Sequence, residues 1–111
     1  MLIGVITERQ RLRQVILGSE VRAFCLNHAL GLGPLASDDM LDKLLADKDL
    51  IPKDWQKVGH FYHFMWDVHT SHWGSLYTRY LSWHGDYWEG NRSMYQGDVF
   101  GPLDFVVVGP P

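Results

Sequence analysis

The sequence predicts an α+β fold: N-terminal helices packed on one face of a small, mostly antiparallel C-terminal sheet. Two contrasts between the halves support this. Residues 1–57 hold eight basic and eight acidic side chains and only two aromatics, Phe24 and Trp55, a composition that suits helices. Residues 58–111 hold thirteen of the fifteen aromatics and five of the six histidines, side chains that suit a pleated surface. With 111 residues there is room for one core, so 1–111 reads as a single domain. The break at 50–58, LIPKDWQKV, then joins a helical half to an aromatic and histidine-rich β half.

Leu2 to Ile6 is short, apolar and β-branched, as an opening strand would be. Thr7 can cap a helix whose first turn carries Glu8, with Leu12, Val15 and Ile16 on one face and Arg9 and Arg13 on the polar side. Gly18-Ser19 ends that segment and caps a second helix from Glu20. Val21, Phe24, Cys25 and His28 form its stripe, and Gly31 and Gly33 close it. Ser37 followed by Asp38 and Asp39 starts a third helix, with Met40, Leu41, Leu44 and Leu45 apolar and Pro52 barring continuation.

In the second half, strands are expected over about 58–66, 75–83 and 103–108. The first two would form a hairpin around DVHTSHWG, with Tyr62 near Tyr80 and His63 near Arg79. Residues 84–97, HGDYWEGNRSMYQG, read as a Gly- and Asn-punctuated stretch. The run LDFVVV is apolar enough to sit centrally, beside Leu2–Ile6.

A formal net charge of −3 and one cysteine, Cys25, argue against a non-specific polyanion binder and a disulfide scaffold. No apolar run reaches the roughly 18 residues of a membrane span. MLIGVITERQ lacks the apolar core of a signal peptide. A soluble, cytoplasmic protein without membrane attachment is the expectation. The sequence has no GxSxG elbow, Walker loop, dinucleotide fingerprint, HExxH or CxxC pair, which weighs against an enzyme. No cofactor is predicted.

Six histidines nonetheless invite a metal test. His60 and His63 with Asp67 would form a facial triad on a helix. On a strand His60 and His63 point to opposite faces, and His63, Asp67 and His69 share one. If the hairpin loop bends over the 84–88 turn, His69, His72, His84 and Asp86 converge as candidate ligands for zinc or another divalent ion, as in a metal-dependent hydrolase. Cys25 on a helix stripe reads as a small buried hydrophobe rather than a nucleophile activated by His28.

A second alternative is a helix-turn-helix-like regulator. Arg22, Asn27 and His28 would read bases, and the three preceding arginines, Arg9, Arg11 and Arg13, would touch phosphates. The balanced charge of the first half and the acidity of the second disfavour nucleic acid as a partner.

The denser signal is tryptophan. Trp66, Trp73, Trp83 and Trp88 lie within 23 residues, and a small core does not easily bury four indoles with their N–H groups. The competing reading is that they build a dense aromatic core. The function expected first is therefore a protein-interaction module, an inhibitor, adaptor or regulator, that docks on another protein or on itself. Trp66, Trp73, Arg79, Trp83, Tyr87 and Trp88 would be its anchors.

Overall fold

The computed structural model of the protein describes residues 2–12, 16–27, 34–94 and 97–109. In chain order these form β1 (Ile3–Val5), α1 (Glu8–Arg11), β2 (Ile16–Leu17), α2 (Gly18–Asn27) and α3 (Asp38–Ala46). Two 3₁₀ turns follow, Lys48–Leu50 and Lys53–Trp55, and then β3 (Phe61–Thr70), β4 (Leu76–Trp83), β5 (Trp88–Met94), β6 (Val99–Phe100) and β7 (Asp104–Val108). One sheet has the order β1-β7-β3-β4-β5, antiparallel except for the parallel β3–β7 pair, and β2 pairs with β6 in a second, two-stranded sheet. The fold is α+β. Among the described residues no helix is long and apolar enough to cross a membrane.

The start signals act as their chemistry requires. Thr7 and Gln10 form a reciprocal capping box on α1, and Ser37 caps α3 by accepting from the Met40 N–H. The valine run becomes β7 and lies between β1 and β3, with Val107 opposite Gly4.

The expected single helical layer is replaced by cover on both faces of the sheet. Tyr62, Phe64, Leu81, Trp88 and Val107 pack with Leu41 and Leu44 of α3. Met65, Val106 and Val108 pack instead with Ile16, Val21 and Phe100 of the β2–α2 and β6 layer. The reason is visible in β7, where the consecutive Val106, Val107 and Val108 are all buried. Neighbours on a strand point to opposite faces, so such a run requires apolar cover on both sides.

Three other expectations are corrected. Ile16 belongs to β2, paired with Phe100, rather than to the first helix, which has only four residues; Arg13 and Val15 lie outside the described residues. A two-residue strand, β2, stands between the first two helices, where the helix-turn-helix reading expects a turn. Within the Gly- and Asn-punctuated stretch, where the sequence predicts no strand, residues 88–94 form β5. Gly90 marks a close approach there, since a Cβ would sit 2.9 Å from Leu45 Cδ1.

The β3–β4 hairpin is also one residue out of the expected register: Tyr62 faces Leu81 and His63 faces Tyr80. Its strands run on to Thr70, and the turn is Ser71–Ser75, closed by Ser71 N–H donating to Ser75 O and by Gly74 at φ +84°.

Candidate functional site

The hairpin contains a bulge that decides where the functional side chains point. Phe64 pairs with Arg79 and His69 with Tyr77, so five steps along β3 match two along β4. The excess of three is odd and inverts the alternation of faces. His63 and Met65 therefore face the α2 side, while Asp67 and His69 turn to α3. The predicted face shared by His63, Asp67 and His69 does not form.

The bulged backbone is held from outside the ladder. Trp66 N–H donates to Ala36 O at 3.2 Å. Arg22 Nε and Nη2 donate to Met65 O and Trp66 O at 2.6 and 3.1 Å. Arg22, a candidate base reader, is thus occupied in positioning Trp66. Arg9 meets Glu20 at 3.4 Å.

The indole of Trp66, 52% exposed, stands at a cleft of about 720 Å³. Leu35, Ala36 and Met40 supply its apolar lining, and Asp38, Asp39, Asp67 and His69 supply its polar side. Asp38 opens α3. Its N–H donates to Asp67 Oδ2, and its Oδ2 is held by His69 Nε2, with Arg79 Nη1 3.9 Å away. Arg79 also pairs with Asp42 at 2.9 Å. Asp38 Oδ1 is buried without a hydrogen-bond partner among the described residues. No lysine or arginine is among the cleft's described lining residues, so its carboxylates leave it acidic.

The six anchors expected from the sequence do not form one surface. Trp66 lines the cleft, Trp73 is 88% exposed on the hairpin turn, and Arg79 bridges to α3. Tyr87, 50% exposed, stacks on His84 at the other end of β4. Trp88 is only 8% exposed and belongs to the α3-side core, with Trp83 tilted against it at 5.0 Å. Burial removes Trp88 from any contact surface.

The four candidate metal ligands are likewise divided. His69 and His72 lie at the Ser71–Ser75 end of β4, and His84 and Asp86 at its far end, with eight extended residues between. His69 is engaged with Asp38, His72 meets Trp73 edge-on, and His84 contacts Ser82 and Glu89. Among the described residues no group of three or more His, Cys, Asp or Glu side chains is placed to hold a metal ion. Burial pushes the Cys25 thiol up to about 11, a poor nucleophile near neutral pH; His28 lies outside the described residues.

Sequence reasoning missed a second concave site, on the α2 side. His63 is 2% exposed, stacks on Phe100 at 4.0 Å, and its Nε2 is 2.9 Å from Asp104 Oδ1. Desolvation lowers the His63 pKa, opposed by the hydrogen bond to Asp104, so the ring is held neutral. Tyr80 beside it has its phenol raised, by desolvation first and then by Glu89, Asp98 and Asp104. The sequence signal for this site is the His63–Tyr80 pairing, which lies one residue away from the register the sequence predicts.

Compared with known proteins, the chain matches no family model, no curated protein and no solved structure.

Proposed function

We propose that the protein is an interaction module, an adaptor, inhibitor or regulator, that captures a short segment of another protein in the Trp66 cleft. The segment carries an apolar or aromatic residue beside a lysine or arginine. The observation that carries this reading is the juxtaposition of a half-exposed indole with a carboxylate, Asp38, whose buried Oδ1 has no partner among the described residues. A buried acceptor without a donor is costly, and a cationic side chain from a partner would satisfy it. Trp66 offers a large, stiff contact area of the kind that anchors protein interfaces. Its backbone is fixed by Arg22 and Ala36, so little ordering remains to be done on binding.

Panning a phage-displayed library of random dodecapeptides on the intact protein tests the reading. Enriched peptides are expected to pair an aromatic or aliphatic residue with Lys or Arg. Their affinity should fall at least about tenfold on Trp66→Ala, fall on Asp39→Asn, and stay unchanged on Tyr87→Ala. Absence of enrichment, or peptides that bind Trp66→Ala as well as the parent, would overturn it.

A further inference from the structure

The cavity on the α2 side carries chemistry that the Trp66 cleft does not use. It has a volume of about 400 Å³, within the range of small-molecule sites, and is bounded chiefly by Phe61, His63, Tyr80, Asp98, Phe100 and Asp104. Aromatic rings supply its walls: Phe61 meets Tyr80 edge-on at 5.5 Å, and Phe100 lies against the His63 ring. Two carboxylates face it, and no lysine or arginine is among its described lining residues.

The two carboxylates are in different states. Asp104 is committed on both oxygens, Oδ1 to His63 Nε2 and Oδ2 to the Gly101 N–H at 2.9 Å. Asp98 Oδ2 accepts from Ser93 Oγ at 3.2 Å and from the Met94 N–H at 2.8 Å. Its Oδ1 has no partner among the described residues. His63 adds a third acceptor. With Nε2 donating to Asp104, a neutral ring leaves Nδ1 as an acceptor, and this atom is buried without a hydrogen bond among the described residues.

We propose that this cavity binds a small organic ammonium group. Its N–H donors would serve His63 Nδ1 and Asp98 Oδ1, and its hydrocarbon would lie against Phe61, Tyr80 and Phe100. Each feature selects for that chemistry. Aromatic faces attract a cation and tolerate alkyl groups. A carboxylate beside them repels an anion and strengthens a hydrogen bond from a charged donor. An unpartnered ring nitrogen rewards a ligand that brings an N–H. A free amine and the side chain of a lysine share this chemistry.

The test is an NMR titration of the intact, isotope-labelled protein with n-butylammonium, Nα-acetyl-lysine methylamide and n-butanol at constant ionic strength. An ammonium probe is expected to shift the amides of Tyr80, Ser93 and Phe100 saturably, with a dissociation constant in the millimolar range and at least about tenfold tighter than n-butanol. Asp98→Asn and Tyr80→Leu should each weaken it, while the amides around Trp66 stay unmoved. Saturation by n-butylammonium alone supports the site and assigns a free amine. Saturation by the capped lysine as well supports the site and extends it to a protein side chain. Equal effects of n-butanol and n-butylammonium, or no saturation by either ammonium, would overturn the proposal.

Discussion

The indoles of Trp73, Trp66 and Trp88 form a graded series that tests the division between surface and core. A large aromatic residue withdraws up to roughly 250 Å² from water when fully buried. At 8% exposure Trp88 withdraws most of that, an upper bound of about 6 kcal/mol at 25 cal/mol per Å². Truncations of buried aromatics cost about 3–5 kcal/mol, and Trp88→Ala should fall in that range. Trp73, 88% exposed, withdraws only about 30 Å², so Trp73→Ala should cost under about 1 kcal/mol. Trp66 lies between, at about 1–2 kcal/mol once partial collapse of the cleft is allowed for. Urea unfolding followed by far-UV circular dichroism measures all three, since that signal does not depend on the fluorophore removed. A loss above about 2 kcal/mol for Trp73→Ala, or below about 1.5 kcal/mol for Trp88→Ala, would refute the assignment of these rings and with it the choice of Trp66 as the anchor.

Two further outcomes follow from buried polar groups. His63 has a folded pKa below its ordinary value of 6.5, so between the two values the unfolded chain binds the extra proton. Its contribution to stability is present above pH 6.5 and is lost as pH falls towards the folded value, at up to about 1.4 kcal/mol per pH unit. Urea unfolding at pH 7.5 and 5.5 should show a larger acid loss for the parent than for His63→Gln; equal losses would contradict the desolvated, neutral ring. Gln10 is fully buried, accepts from the Thr7 N–H at 2.8 Å and donates to Gly101 O and Asp104 O at 2.9 and 2.6 Å. Gln10→Ala should cost about 2–4 kcal/mol by leaving these groups unpartnered, and a loss under about 0.5 kcal/mol in the same assay would show that water replaces the amide.

Much of this fold was legible because local chemistry specified it. Thr7 and Ser37 cap helices where their hydroxyls can reach a backbone N–H, and the apolar runs at Leu2–Ile6 and Leu103–Val108 become paired strands. Two kinds of information were not local. Gly90 resembles a turn residue until the Leu45 side chain, 45 positions away, is seen to pack over it, with Cδ1 2.9 Å from where a Cβ would stand. The side of the sheet that each helix covers depends on packing: the valine run indicates two buried faces but not which helix lies on which. For the site, exposure of Trp66 and Trp73 agrees with the excess of aromatics, whereas Trp88 has the same side chain and differs only in its place on β5.

The bulge in β3 explains why two unlike concave sites arise on one strand. In an unbroken strand the odd-numbered residues His63, Asp67 and His69 would share a face, and Asp38 would lose both the acceptor for its N–H and the imidazole on its carboxylate. Three unmatched residues in β3 move Asp67 and His69 to the head of α3, where they order the acidic side of the Trp66 cleft. His63 stays on the opposite face with Asp104 and Phe100. Such an irregularity costs ladder hydrogen bonds, and Arg22 and Ala36 recover part of that cost by bonding the backbone of Met65 and Trp66. Arg22 is therefore linked to the cleft through its geometry rather than its charge: replacing it with lysine keeps the positive charge but loses the planar pair of donors that spans two successive carbonyls.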